Sequence, residues 1–415
     1  MPTKTSDPFA DLLASAAKKY NGLSVGSMED VASDVKAIST GNLAIDYCIG
    51  VGGIPLGRSI ELYGPPSSGK TTTALQAAAE LQKIIIAGGD PERGIKPDDI
   101  ILYLDYEQSM DKDYAVALGL NTKHPSLKFT QPDTLEDGVN FAIAAVKTGR
   151  VRLLIFDSVA SMNPSAKADA EIGKSLPAVQ AKLMKDFTLT FNSVLANNNA
   201  SAIFINHQME AMSMGGRPGM PPKTTTPGGV ALKYFASLRI QYTQVKQNKE
   251  TVIDGLSNEK VERIMSTDVK VKVTKNKMAP PYREALVRVR FGRGFDNFWS
   301  AMQVLLANKK VMYSASYYKF HNIEAQGLAP EWMPRSPSGT KPPVINGTKQ
   351  LFNAADAHPE WRDGIIKLAE EVVSENVEIL SKVAPQQEAD EEEDELDEET
   401  SKELEDMESG DRVEF

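Results

Sequence analysis

Cysteine is almost absent from this chain. Cys48 stands alone among 415 residues, which excludes an internal disulfide and a cysteine-built zinc cluster and suits a reducing compartment. Long apolar runs are missing too. No stretch reaches the length of a membrane span, and the N-terminus has no apolar core of signal-peptide length, so a soluble, cytoplasmic protein is expected. A surplus of positive charge is also lacking: the net formal charge is −10, which by itself argues against a nucleic-acid partner. The distribution reverses that inference. Residues 388–415 hold 16 acids against Lys402 and Arg412, which leaves the remaining body at +4. What is present is ordinary, 41% hydrophobic and 25% charged, enough for one large core with appendages.

The most informative stretch is Gly64-Pro65-Pro66-Ser67-Ser68-Gly69-Lys70-Thr71. A short apolar run, 59–63, precedes it as a strand, and Thr72 to Leu81 follows as a helix. Strand, G-x-x-x-x-G-K-[ST], helix is a phosphate-binding loop in its proper setting. Glycines let the backbone N–H groups converge on phosphate oxygens, and the helix start adds uncapped donors. Lys70 would reach the β- and γ-phosphates of a nucleoside triphosphate, and the Thr71 hydroxyl would ligate Mg²⁺.

Around it, apolar strands alternate with helical patterns at 134–148 and 178–197. The runs 100–104, 151–156 and 202–205 end at Glu107, Asp157 and Asn206 respectively. Such alternation predicts an α/β domain with a mainly parallel sheet, whose ligands bind beyond the carboxyl ends of the strands. Asp157 reads either as the second acid of a Mg²⁺ site or as a solubilising strand end; Glu107 reads either as a general base for water or as a surface carboxylate. Cys48 reads as a small buried hydrophobe. Residues 7–20 form an amphipathic helix that packs on its own core or docks on another subunit. Residues 87–99 read as a turn-rich surface insertion.

Two loops follow, 169–177 and 209–229. The second is rich in Gly and Pro and carries four methionines with Arg217 and Lys223. It is either a mobile surface loop or a grip on nucleic acid, with cations for phosphates and Met side chains for insertion between bases. Strands at 238–242, 269–275 and 284–291 carry a basic set from Lys270 to Arg293, a solvated edge or an anion-binding or intersubunit surface. A smaller domain with a closing helix from Trp361 to Leu380 precedes an acidic tail that composition reads as disordered.

These motifs closely resemble bacterial RecA recombinases. The resemblance is carried by Ile38-Ser39-Thr40-Gly41, Gly52 to Arg58, Tyr63 to Thr72, Phe156 to Ala160, Phe204-Ile205-Asn206, Thr224 to Gly229 with Ala231-Leu232-Lys233, and Lys275-Asn276-Lys277. It implies a RecA-type phosphate-loop NTPase core, α/β with a mainly parallel twisted sheet, an N-terminal oligomerisation helix and a small C-terminal α+β domain. The implied boundaries are 1–35 for the helix and linker, 36–300 for the core, 301–384 for the small domain and 385–415 for the tail. The implied activity is ATP-dependent filament formation on single-stranded DNA, homologous pairing and strand exchange, with DNA-dependent ATP hydrolysis. ATP and Mg²⁺ are the implied cofactors. Single- and double-stranded DNA and further copies of the chain are the implied partners, with single-strand-binding and loader proteins as candidates.

Carried over, Gly64, Pro65, Pro66, Ser67, Ser68, Gly69, Lys70, Thr71 and Thr72 hold the phosphates, Thr71 and Asp157 the metal, and Glu107 activates water. Tyr114, in the stretch opened by Asp111, sits where the family stacks a Tyr on adenine. Gly173, Lys174 and Ser175 match the first DNA loop. Met209, Met212, Met214, Arg217, Met220, Lys223, Thr224, Gly228 and Gly229 match the second. Lys275 and Lys277 match lysines that reach the ATP of the neighbouring subunit, and the acidic tail resembles a modulator of DNA access. The chain departs from the pattern in four places. His207 stands where the family has the Gln that senses the γ-phosphate, with Gln208 next, so either residue could sense, or His207 is a plain strand-end polar group. Pro66 replaces an acid, the second loop is longer, and residues 87–99 look inserted. These suggest a divergent, phage-borne member. An ATP-switched DNA-binding filament without strand exchange, and a hexameric helicase of the same core fold, are the alternatives.

Overall fold

The computed structural model describes Leu12, Ser15 and residues 35–168, 177–210, 224–225, 227, 231–253, 260–334 and 343–381. The expected N-terminal helix, apart from Leu12 and Ser15, the first DNA loop, most of the second and the acidic tail lie outside the described residues.

Five parallel strands form the centre: β3 (Ser59–Gly64), β4 (Ile100–Asp105), β5 (Leu127–Thr130), β6 (Val151–Asp157) and β7 (Ser201–His207). Numbered in chain order after the short β1 (Ala37–Ile38) and β2 (Ile54–Pro55), they run β3-β7-β6-β4-β5. Every residue of β3 and β6 is buried, as a sheet covered on both faces requires. The two-residue period sorts side chains between two cores. Leu153 and Ile155 join the core with Ile60 and Leu62, whereas Leu154 and Phe156 join the core with Phe204. Phe156 stacks on Phe204 at 4.7 Å, and Phe187 and Phe191 meet it edge-on.

Helices cover both faces. On one lies α2 (Lys70–Ile86); on the other lie α4 (Leu135–Lys147) and α6 (Pro177–Asn197), which agree with the expected helical stretches. Short helices α3 (Lys112–Ala117) and α5 (Ser165–Ala168) occupy connections. The insertion at 87–99 is a loop closed by a bridge between Asp90 and Ile95.

Beyond β3 the sheet continues as β10 (Leu238–Ile253), β11 (Lys260–Asn276), β12 (Glu284–Arg290) and β13 (Gly294–Phe295). β10 is parallel to β3 and the rest are antiparallel. Here the structure corrects the sequence reading. The strands expected at 238–242 and 269–275 run to 16 and 17 residues and pair with each other as far as Ile253 and Lys260.

The C-terminal part has a three-stranded sheet, β14 (Met312–Ser314), β15 (Tyr317–Lys319) and β16 (Val344–Asn346), with α9 (Gly347–Ala357) and α10 (Pro359–Ser381). The expected boundary after residue 300 falls inside α8 (Asn297–Ala307), which Asp296 caps by accepting from Trp299 N at 2.9 Å. Phe298, Phe320 and Trp361 pack edge to face, and they belong to the same core as β3. Arg283 adds a clamp, lying 4.3 Å over the Tyr47 ring and donating to Asn376 Oδ1 at 2.9 Å.

At the entrance to the core, α1 (Leu43–Ile49) is capped by Asn42, whose amide nitrogen also donates to Ser300 Oγ at 2.7 Å and ties α1 to α8. Within α1, Asp46 accepts from Ser39 Oγ, Thr40 N and Thr40 Oγ1. Burial nevertheless pushes its carboxyl up to about 7, outweighing those donors. A raised folded value means the neutral acid is preferred in the fold. Its stabilising share is complete below the unfolded carboxylate pKa and is lost as pH rises through about 7. Asp46→Asn should therefore lose less stability than the parent between pH 5 and 8 in urea denaturation. Parallel pH curves for the two proteins would remove Asp46 as the source.

Candidate functional site

The phosphate loop leaves β3 and enters α2, and two residues of β10 and the residue just past β7 seat it. Gly64 lies so close to β10 that an added Cβ would sit 2.3 Å from Tyr242 O, so only glycine fits. Fully buried Tyr242 shares a hydrogen bond of 2.8 Å with Thr73 Oγ1, which donates to Gly69 O at 2.9 Å. Gln244 Nε2 donates to Pro66 O at 2.9 Å and to Ser67 O at 3.3 Å. Gln208 N donates to Gly64 O at 3.2 Å. Four loop carbonyls are thus held, and Gly69, at φ 92°, starts α2 in the left-handed region that glycine tolerates.

Lys70 folds back over this loop, donating to Gly64 O at 3.0 Å and Pro65 O at 2.7 Å. Burial lowers its pKa to about 8, although the charges of Asp157 and Glu107 pull the other way. The next side chain, Thr71, donates to Asp157 Oδ2 at 3.2 Å. Tyr103 OH donates to the same oxygen at 2.6 Å. Burial pushes the Asp157 carboxyl up to about 6 against those bonds, and the nearby Glu107 charge adds to the rise. A hydroxyl and a carboxylate in contact are a hard, all-oxygen donor set, which fits Mg²⁺. Burial and the neighbouring acids push the Tyr103 phenol up, so it stays a donor.

Glu107 lies two residues past Asp105, the partner of Asp157 in the β4–β6 pairing, and its N donates to Asp157 O at 3.3 Å. Its Oε1 accepts from Ser158 Oγ and contacts His207 Nε2 at 3.0 Å. Burial opposes its charge, but the hydrogen bonds from Ser158 and His207 and the His207 and Lys70 charges hold the carboxyl below the usual range. Both partners sit on Oε1. At the end of β7, Asn206 Nδ2 donates to buried Glu61 Oε1 at 2.8 Å and to Pro227 O at 3.0 Å. Arg239 completes this knot with a 2.6 Å ion pair to Glu61. A connected set of polar groups therefore runs from the phosphate loop to the far side of the 209–229 loop. Strands β8 (Met209–Glu210) and β9 (Thr224–Thr225) pair across the base of that loop.

Tyr114 OH shares a 2.7 Å hydrogen bond with Thr72 Oγ1, which brings the two expected nucleotide residues together beside the phosphate loop. Asp111 caps α3 by accepting from Asp113 N and Tyr114 N. His207 turns toward Glu107, whereas Gln208 lies near Gly64 and Gln241. Lys275 and Lys277 stand apart. Lys275 Nζ donates to Lys233 O and Tyr234 O at the end of α7 (Ala231–Phe235). Lys277 N donates to Ser237 O, and Ser237 N to Ser59 O, which puts Lys277 level with the start of β3, opposite the phosphate loop. Gly173, Lys174, Ser175, Met212, Met214, Arg217, Met220, Lys223, Gly228 and Gly229 lie outside the described residues, and for Met209 and Thr224 the backbone alone is described.

Sequence reasoning missed Tyr103, Ser158, Tyr242 and Gln244. The two-residue period of β4 puts Tyr103 on the face of Asp105, and Ser158 directly follows Asp157; both signals were readable. Tyr242 and Gln244 reach the loop from about 170 residues away, and no local pattern announces them.

A mainly parallel sheet with a phosphate loop on one strand and acids at the ends of two others defines a phosphate-loop NTPase fold. The family model for the RecA N-terminal domain matches residues 9–296. The chain belongs to the RecA family. Membership places it among RecA-like recombinases and ATPases, which use ATP and Mg²⁺, bind DNA and associate with copies of themselves. No helix among the described residues is long and apolar enough to cross a membrane.

Proposed function

We propose that the protein forms ATP-dependent filaments on single-stranded DNA, pairs homologous duplex and exchanges strands, hydrolysing ATP as DNA binds. The observation that carries this reading is the polar connection from Thr71 and Asp157, through Ser158, Glu107 and His207, to Asn206 and Pro227 at the second loop. It links a triphosphate site to a segment whose sequence suits DNA.

In this mechanism Lys70 exchanges its contacts with Gly64 O and Pro65 O for the β- and γ-phosphates. Thr71 and Asp157 would hold Mg²⁺, which supplies neutralising charge at the phosphates when bound. Glu107, oriented through Oε1, takes the proton of the attacking water on Oε2. His207 reports the γ-phosphate to the second loop through its neighbour Asn206. Tyr114 stacks on the adenine. Lys275 and Lys277 serve the ATP of the adjacent copy, an assignment supported by their place at the opposite end of β10–β11 from the phosphate loop. Gly173 to Ser175 and the 209–229 loop contact DNA, residues 7–20 dock on the next subunit, and the tail tempers DNA access in the cytoplasm.

A strand-exchange assay with single-stranded DNA and either homologous or heterologous duplex tests the reading. Joint molecules with the homologous duplex, dependent on ATP, are the expected result. ATP-dependent filaments that never yield joint molecules, or closed hexamers that unwind duplex, would replace it with one of the two alternatives.

A further inference from the structure

The β10–β11 ladder does more than extend the sheet. Among the described residues, β3 pairs with Leu238–Gln241 of β10, and β12 with Ser266–Lys272 of β11. Beyond the Asn248–Ser266 pair, the last that β12 backs, the two strands continue among the described residues with only each other, as far as Ile253 and Lys260. From Lys249 to Ile253 this is an arm of roughly 15 Å at about 3.4 Å per residue. A lone two-stranded ribbon is marginal in water and leaves both outer edges open to pairing. Apolar side chains are exposed on it and at its root: Ile264 on the ribbon, and Met265 and the 59% exposed Val245 where it leaves the sheet.

We infer that the arm is an interaction element and that its occupant is a second copy of this chain, so that the arm lengthens the contact between successive subunits. The inference rests on the head-to-tail assembly proposed above. Two observations favour that occupant. On its way to the arm β10 passes the phosphate loop, where Gln244 holds Pro66 and Ser67, and Lys277 marks the opposite end of the same ladder. In a head-to-tail stack the phosphate-loop end of one copy meets the Lys275 and Lys277 end of the next, so the arm projects along that neighbour. The charge pattern agrees. Lys246, Lys249, Lys260 and Arg263 are interleaved with Glu250 and Glu262, and Lys249 pairs with Glu262 at 3.8 Å. Paired, mixed-sign charge beside apolar groups suits a protein surface rather than a phosphate backbone.

Gln244 gives the contact a consequence for the nucleotide. The strand that becomes the arm also holds two carbonyls of the phosphate loop, through Gln244, so seating the arm on a neighbour stiffens the loop that receives the triphosphate.

Two experiments on the full chain, with single-stranded DNA and a non-hydrolysable ATP analogue, test the inference. The first replaces residues 249–264 by a two-residue Asn-Gly turn and follows assembly by light scattering. Half-assembly should need at least tenfold more protein; an unchanged threshold overturns the inference. Where that variant melts abnormally, the double substitution Val245→Lys, Ile264→Lys at exposed positions is read the same way. The second uses Ile264→Cys labelled with a benzophenone maleimide, since the native Cys48 is fully buried. Cross-links mapping to a second copy are expected, and cross-links confined to DNA or to the same chain overturn the inference. A parent protein that never assembles defeats the filament reading itself; a parent that assembles while both arm variants match it defeats the arm alone.

Discussion

Lys70→Ala should lower kcat/KM for ATP hydrolysis by at least the roughly 10²- to 10³-fold typical of removing one preorganised transition-state donor, and abolish ATP-driven strand exchange. The fold should survive. Lys70 gives up two hydrogen bonds, to Gly64 O and Pro65 O, yet each carbonyl keeps another donor: Gln208 N on Gly64 O at 3.2 Å and Ser68 Oγ on Pro65 O at 2.8 Å. The variant also loses a charge whose burial is costly enough to bring its pKa down to about 8. A melting temperature equal to or above that of the parent, together with lost turnover, is the expected pair of results. Lys70→Arg should not rescue activity, because a planar guanidinium does not fit a seat that holds a point charge between two loop carbonyls. Near-parental hydrolysis in Lys70→Ala would remove the lysine from the phosphate site.

The parts of this architecture that were legible in the sequence are those written in local periodicity. The β3–loop–α2 unit carried its own evidence, because an apolar strand, a glycine-bearing turn and a helix with a buried alanine face are neighbours in the chain. Asp157 and Glu107 were legible for a related reason: apolar strands end where the sheet meets solvent, and an acid placed there faces the ligand edge. The pairwise contacts that orient them were not. Ser158 lies 51 residues from Glu107, and Gln244 lies 178 from Pro66, so both contacts exist only through sheet register. The extension of β10 into the arm escaped notice because Gln244 to Glu250 alternates no apolar face; a ribbon exposed on both sides has no two-residue hydrophobic signature. Lys275 shows the opposite failure. Its charge was readable, but its Nζ contacts with the carbonyls ending α7 depend on packing from 41 and 42 residues away. That placement gives the lysine a role within its own subunit, alongside any role toward a neighbour.

Glu107→Gln should separate binding from turnover, because the structure lets the substitution remove basicity while leaving geometry in place. Both partners of the side chain, Ser158 Oγ and His207 Nε2, address Oε1. A glutamine can present its amide oxygen at that position and keep both contacts, with its nitrogen replacing Oε2, the atom assigned to the water proton. A positioned general base contributes about 10²- to 10⁴-fold, so kcat should fall by that range while KM changes little. ATP-stabilised binding to single-stranded DNA should persist, since Lys70, Thr71 and Asp157 are untouched. Glu107→Ala makes the informative contrast. It deletes the acceptor shared by Ser158 and His207 and releases His207 from the acid, so it should lose ATP-stabilised DNA binding as well as turnover. Undiminished hydrolysis in Glu107→Gln would exclude Glu107 as the base. Equal behaviour of the two variants in DNA binding would show that the Glu107–His207 contact plays no part in linking the triphosphate to the second loop.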